Sequence, residues 1–157
     1  MKKQDGYLNQ FVSSFGKNIN TMAGLNCEYD KPRRQSSTFR SNGLTVIIGI
    51  TGARPGIIIV DTGRELARRL CELINGEEYS TDDEFVLYTI AEFANVFSGH
   101  AVSLLNDSNG LQLDLTPPSI LFGDKVVITS PKIKPEVIEI KTPLGEISIT
   151  VGFERSL

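Results

Sequence analysis

Four residues on one stretch of this chain have the types and the spacing to do chemistry. Within Phe85-Val86-Leu87-Tyr88-Thr89-Ile90-Ala91-Glu92-Phe93-Ala94-Asn95-Val96-Phe97-Ser98-Gly99-His100-Ala101, Glu92 and Asn95 stand three residues apart, Thr89 precedes them and Gly99 follows. Residues three and four apart share a face of a helix. So apolar a helix is normally buried round most of its circumference, yet this one carries a narrow polar seam. A carboxylate can grip a cationic side chain. A carboxamide can donate to and accept from a water molecule without ionising. Glycine costs up to ~1 kcal/mol relative to alanine inside a helix, so Gly99 implies a close approach, either by a neighbouring element or by a partner. A flat seam of this kind suits docking and water positioning better than chemistry in a pocket. The spacing alone also describes a plain solvated face, with Gly99 as a packing contact.

The remaining reactive residues narrow the choice. There is one histidine, His100, and the two cysteines, Cys27 and Cys71, belong to no metal or redox spacing. A nucleophilic triad could be built only around that single imidazole, and a His-rich metal site is excluded. The expectation is a domain with no cofactor and no metal of its own, working through carboxylates, amides or hydroxyls. Asp82, Asp83 and Glu84 read as a charged helix start rather than a metal cluster. The glycines from Gly49 to Gly56 lack the Gly-Lys-Ser/Thr of a phosphate loop. The basic cluster of Lys31, Arg33, Arg34 and Arg40 is either a solvated loop or an attractor for an acidic partner, and Lys132-Ile133-Lys134-Pro135 is read as solvated too. Sixteen Lys and Arg against nineteen Asp and Glu leave a net charge of -3, which argues against a nucleic-acid partner. No apolar run approaches the ~18 residues of a membrane span, and MKKQDGYLNQ lacks the apolar stretch of a signal peptide. A cytoplasmic location is expected.

The elements that must position the seam follow from periodicity. At 157 residues, 40 % of them hydrophobic, the chain has the length of one domain, 1–157. Tyr7, Leu8, Phe11, Phe15, Ile19 and Met22 fall at helical spacing, which predicts a helix over 4–22. A short extended piece is expected over 25–29, followed by loop or edge strand up to Gly43. The β-branched runs 44–51 and 56–61 flank a stretch dense in turn formers and read as a hairpin. Thr62-Gly63-Arg64-Glu65 and Thr81-Asp82-Asp83-Glu84 both match the capping box. They would open a short helix closed by Gly76 and a long helix running to about Asn106. Strands are expected over 111–115, 125–129, 136–141 and 146–153, the last two joined as a hairpin across 142–145. The sum is an α+β fold with long helices packed on a largely antiparallel sheet. Gly24-Leu25-Asn26-Cys27-Glu28 with Pro32 also lines up with Gly110-Leu111-Gln112-Leu113-Asp114 with Pro118, each copy after a helix and before a strand pair. The same register sets Asn9 under Asn95 and Phe11 under Phe97, so the chain reads as two pseudo-repeated helix–strand–hairpin halves.

Glu92-Phe93-Ala94-Asn95-Val96-Phe97-Ser98-Gly99-His100-Ala101 resembles the E-x-x-N-(apolar)2-x-G-x-A signature of the CheC/CheX/FliY family of bacterial chemotaxis phosphatases. Three further stretches resemble the CheX type in the same order: Thr45-Val46-Ile47-Ile48-Gly49-Ile50-Thr51-Gly52, then Gly76-Glu77-Glu78-Tyr79, then Asp114-Leu115-Thr116-Pro117-Pro118. The resemblance implies a CheC-like fold and a phosphatase acting on the aspartyl phosphate of the response regulator CheY. By that resemblance Glu92 would pair with the regulator's active-site lysine, and Asn95 would insert its carboxamide and hold the attacking water in line. Thr89 and Gly99 would lie on the docking face. Positioning is most of what phosphoryl transfer asks of a protein, and the Mg²⁺ would belong to the regulator. CheX-type members are typically homodimers joined through sheet edges. The chain departs from two-site members at Gly6, which stands where the first half would carry its glutamate while Asn9 remains, so one site per subunit is expected. Phe97 stands where smaller aliphatics are common. His100 replaces another polar residue and reads as a surface or packing residue. The rival reading is a non-catalytic CheX-like module that docks a regulator or a motility component. Retention of both Glu92 and Asn95 favours catalysis.

Overall fold

A computed structural model of the chain describes residues 2–35, 38–129 and 132–154. In chain order the elements are α1 (Lys2–Ala23), β1 (Glu28–Tyr29), β2 (Arg33–Arg34), β3 (Thr38–Gly52), β4 (Gly56–Thr62), α2 (Arg64–Asn75), α3 (Glu84–Asn109), β5 (Leu113–Leu115), β6 (Ser119–Thr129), β7 (Glu136–Thr142) and β8 (Gly145–Phe153). The strands form one sheet in the order β1-β7-β8-β4-β3-β5, with β2 also on β7 and β6 also on β3. Every pairing among the described strands is antiparallel.

Alternation along the strands decides which face is covered. Leu44, Val46, Ile48 and Ile50 of β3, Ile58 and Val60 of β4, Ile138 and Ile140 of β7, and Ile147, Ile149 and Val151 of β8 join one buried cluster with the apolar sides of the helices. Phe15 of α1 sets its ring edge-on to both Phe93 and Phe97 of α3, with centroids 5.4 Å apart in each pair, a geometry that the aromatic quadrupole favours. These contacts fix the rotation of α3 about its axis, and therefore which residues it leaves outside.

The two halves are visible in the pairing registers. Glu28 pairs with Lys141 as Asp114 pairs with Thr51, and Arg33 pairs with Val137 as Ser119 pairs with Ile47. The halves meet along β4 and β8. Both long helices end on a left-handed glycine, Gly24 (φ 70) and Gly110 (φ 63), a conformation that glycine adopts without steric cost. In each half an asparagine in the last turn ties down the outgoing chain: Asn20 Nδ2 donates to Asn26 Oδ1 at 3.0 Å, and Asn106 Nδ2 donates to the Leu113 carbonyl at 3.0 Å.

Neither expected capping box forms. Thr62 is held in the ladder opposite Ile147 and points its hydroxyl at the Glu146 carbonyl, so it cannot turn back over α2. Gly63 takes the N-cap position with no side-chain bond, and Glu65 pairs with Arg68 instead. At α3 the cap is Asp83, whose carboxylate accepts from the Phe85 amide at 2.9 Å; Thr81 lies in the preceding turn. Aspartate caps as well as threonine does, so the helix begins two residues after the capping box would have it. Strand β3 begins at Thr38, inside the stretch expected to be irregular, and β6 begins at Ser119 rather than near 125. Ser41 explains part of this: it occupies an inward position and bonds the Gly123 carbonyl and the Val126 amide, both at 2.9 Å. A bulge between Arg40 and Asn42 is pinned by buried Asp61, which accepts from Asn42 N and Nδ2 and from Thr45 Oγ1. Burial pushes the Asp61 carboxyl upward, and the bonds from Thr45 and Asn42 pull it back.

Candidate functional site: the exposed stripe of α3

Val86, Ile90, Ala91, Phe93, Ala94, Phe97, Ser98, Ala101, Val102 and Leu105 form the buried side of α3. The opposite side carries Phe85, Tyr88, Glu92, Asn95, Val96 and Gly99 at steps of three and four, which keeps them on one stripe. Glu92 is exposed, while Asn95, Val96 and Gly99 are half-buried. Asp83 and Gly110 cap the two ends, so the stripe runs along a well-formed helix rather than a frayed one.

Among the described residues neither the Glu92 carboxylate nor the Asn95 carboxamide has a hydrogen-bond or ion-pair partner. An acid and an amide separated by about 4.5 Å of helix rise are thus offered outward with their bonding capacity unused. A methyl group built at Gly99 meets nothing within 4 Å. The chain's own elements do not approach this glycine, so of the two readings of Gly99 the intramolecular packing contact is overturned. What remains is open space on the same stripe as the acid and the amide.

Thr89 is less free than its neighbours. Its Oγ1 accepts from Asn75 Nδ2 of α2 at 3.0 Å, so it ties α3 to α2 at the margin of the stripe. His100 lies round the helix from Gly99, with Nδ1 3.1 Å from Asn18 Nδ2, and the same Asn18 amide donates to the Ser14 carbonyl at 2.7 Å. That is a packing role, as expected. Phe97 is fully buried and leaves the exposed stripe untouched. An open groove of about 440 Å³ between α1 and α3 is lined by Ser14, Lys17, Asn18, His100 and Ser103 among others; Glu92 and Asn95 do not line it. The pair stands on the outer face of α3, outside that groove.

Other sequence candidates lie elsewhere. Arg33 and Arg34 form β2 and Arg40 lies on β3, and Arg33 is paired with Glu139 at 2.9 Å. Gly49 is a strand residue whose amide donates to Thr116 Oγ1. Among the described residues no three His, Cys, Asp or Glu side chains gather closely enough to hold a metal ion, and no helix is long and apolar enough to cross a membrane. Periodicity had missed one feature of the stripe. Phe85 and Tyr88 are 48 % and 60 % exposed, although each reads in sequence as part of an apolar rod. Their spacing to Glu92 was the available signal.

The family described as Chemotaxis phosphatase CheX matches residues 44–141, a span that contains all of α3. The CheY-P phosphatase CheX of Thermotoga maritima is 28 % identical over 142 residues, which covers 90 % of this chain and 88 % of that protein. A crystal structure of CheX from Desulfovibrio desulfuricans superposes with a TM-score of 0.85 at 24 % identity, covering 95 % of this chain and 99 % of that one. The CheX chain in a CheX–CheY–BeF3–Mg²⁺ complex from Borrelia burgdorferi superposes with a TM-score of 0.84 at 27 % identity, covering 95 % of this chain and 98 % of that one. The matched span takes in well over half of the residues, with the stripe at its centre, and the chain belongs to the CheX family of chemotaxis phosphatases.

Proposed function

We propose that this protein hydrolyses the aspartyl phosphate of a CheY-type response regulator, and that α3 is the element it inserts. The observation that carries the reading is the outward-facing, unpartnered pair of Glu92 and Asn95 beside the open ground over Gly99. The Thermotoga maritima relative is named for CheY-P, and the Borrelia burgdorferi relative is seen with CheY, BeF3 and Mg²⁺; both support the choice of substrate.

In this reading Glu92 pairs with the regulator's active-site lysine and sets the angle of approach. One turn along, Asn95 reaches toward the phosphorylated aspartate. Its carbonyl accepts a hydrogen bond from the attacking water, which fixes the direction of the water's lone pair toward phosphorus. An amide does this in a single protonation state. Water then displaces the aspartyl oxygen, giving inorganic phosphate and the free carboxylate. Holding the nucleophile in a near-attack geometry is a large part of what catalysis of this reaction requires. The Mg²⁺ stays in the regulator and supplies charge neutralisation there. Thr89 steadies the helix through Asn75, and Gly99 lets the regulator's surface come down on the backbone. Reaction in the cytoplasm, and a homodimer joined along the edge of β6, which pairs only with β3 among the described residues, belong to the same reading.

The test follows the decay of radiolabelled phosphate on a regulator from the same cell. The wild-type protein is expected to accelerate it, and Glu92→Ala to need more protein for the same acceleration. If no phosphorylated regulator of that cell decays faster with the wild-type protein, the chain is a docking module instead.

A further inference from the structure

A residue pair that reads only a phosphorylated aspartate and its neighbouring lysine cannot tell one regulator from another. Selectivity must come from surface beside it. On the N-terminal side of the pair the stripe continues as bare aromatic surface. Tyr88, one turn before Glu92, is 60 % exposed and has no hydrogen bond or ring contact with another described residue. Phe85 is 48 % exposed and is held from behind by Tyr79, whose ring stacks on it at 5.3 Å and 25°. The loop carrying Tyr79 is itself pinned, since the Tyr79 amide donates to Glu72 Oε2 of α2 at 3.0 Å. The Phe85 ring is therefore presented on a fixed support, while Tyr88 stands out from the helix backbone alone. Around them stand exposed Glu77, Glu78, Asp82 and Glu84.

Resting on the docking reading above, we propose that Phe85 and Tyr88 form the platform by which this protein selects and holds its regulator. The occupant is the same receiver domain that meets Glu92 and Asn95, and it presents an apolar patch bordered by Lys or Arg beside its phosphorylation site. Helix geometry brings both rings within reach of that partner. A standard interface covers about 800 Å² per partner, a disc of roughly 16 Å radius. At 1.5 Å of rise per residue, Tyr88 lies about 10 Å and Phe85 about 15 Å from Asn95 along the helix. Both fall inside a footprint centred on the catalytic pair. Rigid aromatic residues of this kind are the commonest carriers of binding energy, and an acidic rim speeds encounter with a basic face.

The experiment measures the affinity of the regulator, charged with Mg²⁺ and beryllium fluoride as a stand-in for the phosphoryl group, together with the steady-state kinetics of phosphate loss. Tyr88→Ala is expected to weaken binding and raise KM by about tenfold, with kcat at saturation changing less than threefold. Tyr88→Glu should weaken binding further, and Tyr88→Phe should bind within about twofold of wild type. Because Tyr88 is exposed, the thermal midpoints of all three should match wild type. If Tyr88→Ala and Phe85→Ala bind within twofold of wild type while Asn95→Ala is inactive, the platform is refuted and the catalytic reading stands. A fall in kcat with KM unchanged would also overturn it. If wild type binds no regulator at all, both readings fall together.

Discussion

A methyl group at Gly99 has nothing of its own protein to meet, so the glycine is a cost in helix stability that no internal contact repays. Gly99→Ala is expected to stabilise the fold by up to ~1 kcal/mol, read from urea denaturation. Gly99→Phe should leave the fold intact and weaken regulator binding by at least tenfold, because the ring would stand where the regulator's surface must come down. A phenylalanine variant that binds as wild type does would place the interface elsewhere. Glu92→Lys sets a cation against the regulator's lysine and should weaken binding more than Glu92→Ala does; equal affinities would remove the acid from the docking role. His100→Gln should keep turnover within twofold, since its imidazole faces Asn18 rather than the stripe. Glu92, Asn95 and Gly99 were legible in sequence because polar residues and a glycine stand out against an apolar helix. Phe85 and Tyr88 were not, since an aromatic ring reads as core until something shows which side of the helix the core occupies.

At the scale of elements, α3 is set by its aromatic seam with α1 and by its caps. Phe15→Ala removes the ring that meets both Phe93 and Phe97 and should destabilise the protein by about 3–5 kcal/mol in urea denaturation. Asp83→Ala should cost only ~1 kcal/mol. Helices and hairpins were recovered from periodicity because long apolar repeats leave few alternatives. Ends were harder. Thr62 matched a capping box locally, but its backbone belongs to the β4–β8 ladder, and pairing partners distant in sequence are invisible to a four-residue pattern. The first residues of β3 were missed for a related reason. Ser41 fills an inward position with hydrogen bonds to Gly123 and Val126, and a polar residue satisfied across a sheet looks like loop in one dimension.

The whole molecule repeats one plan in two halves. Matching registers in the two halves and the shared ending of α1 and α3 on left-handed glycines relate the long helices, yet only α3 carries the acid; the corresponding position in α1 is Gly6. The beryllium fluoride-charged regulator should therefore bind with one regulator per chain, and two per chain in calorimetric titration would contradict a silent first half. Sedimentation should report twice the 17.3 kDa chain mass if the β6 edges join. Everything in the catalytic reading converges on the carboxamide of Asn95, so the most direct measurement is phosphate decay at saturating concentrations of the Asn95→Ala protein, with its affinity for the charged regulator measured alongside. The expected result is a rate at saturation at least 100-fold below wild type, approaching the regulator's own decay, with affinity within threefold. An Asn95→Ala protein that turns over at the wild-type rate would contradict the water-positioning role outright.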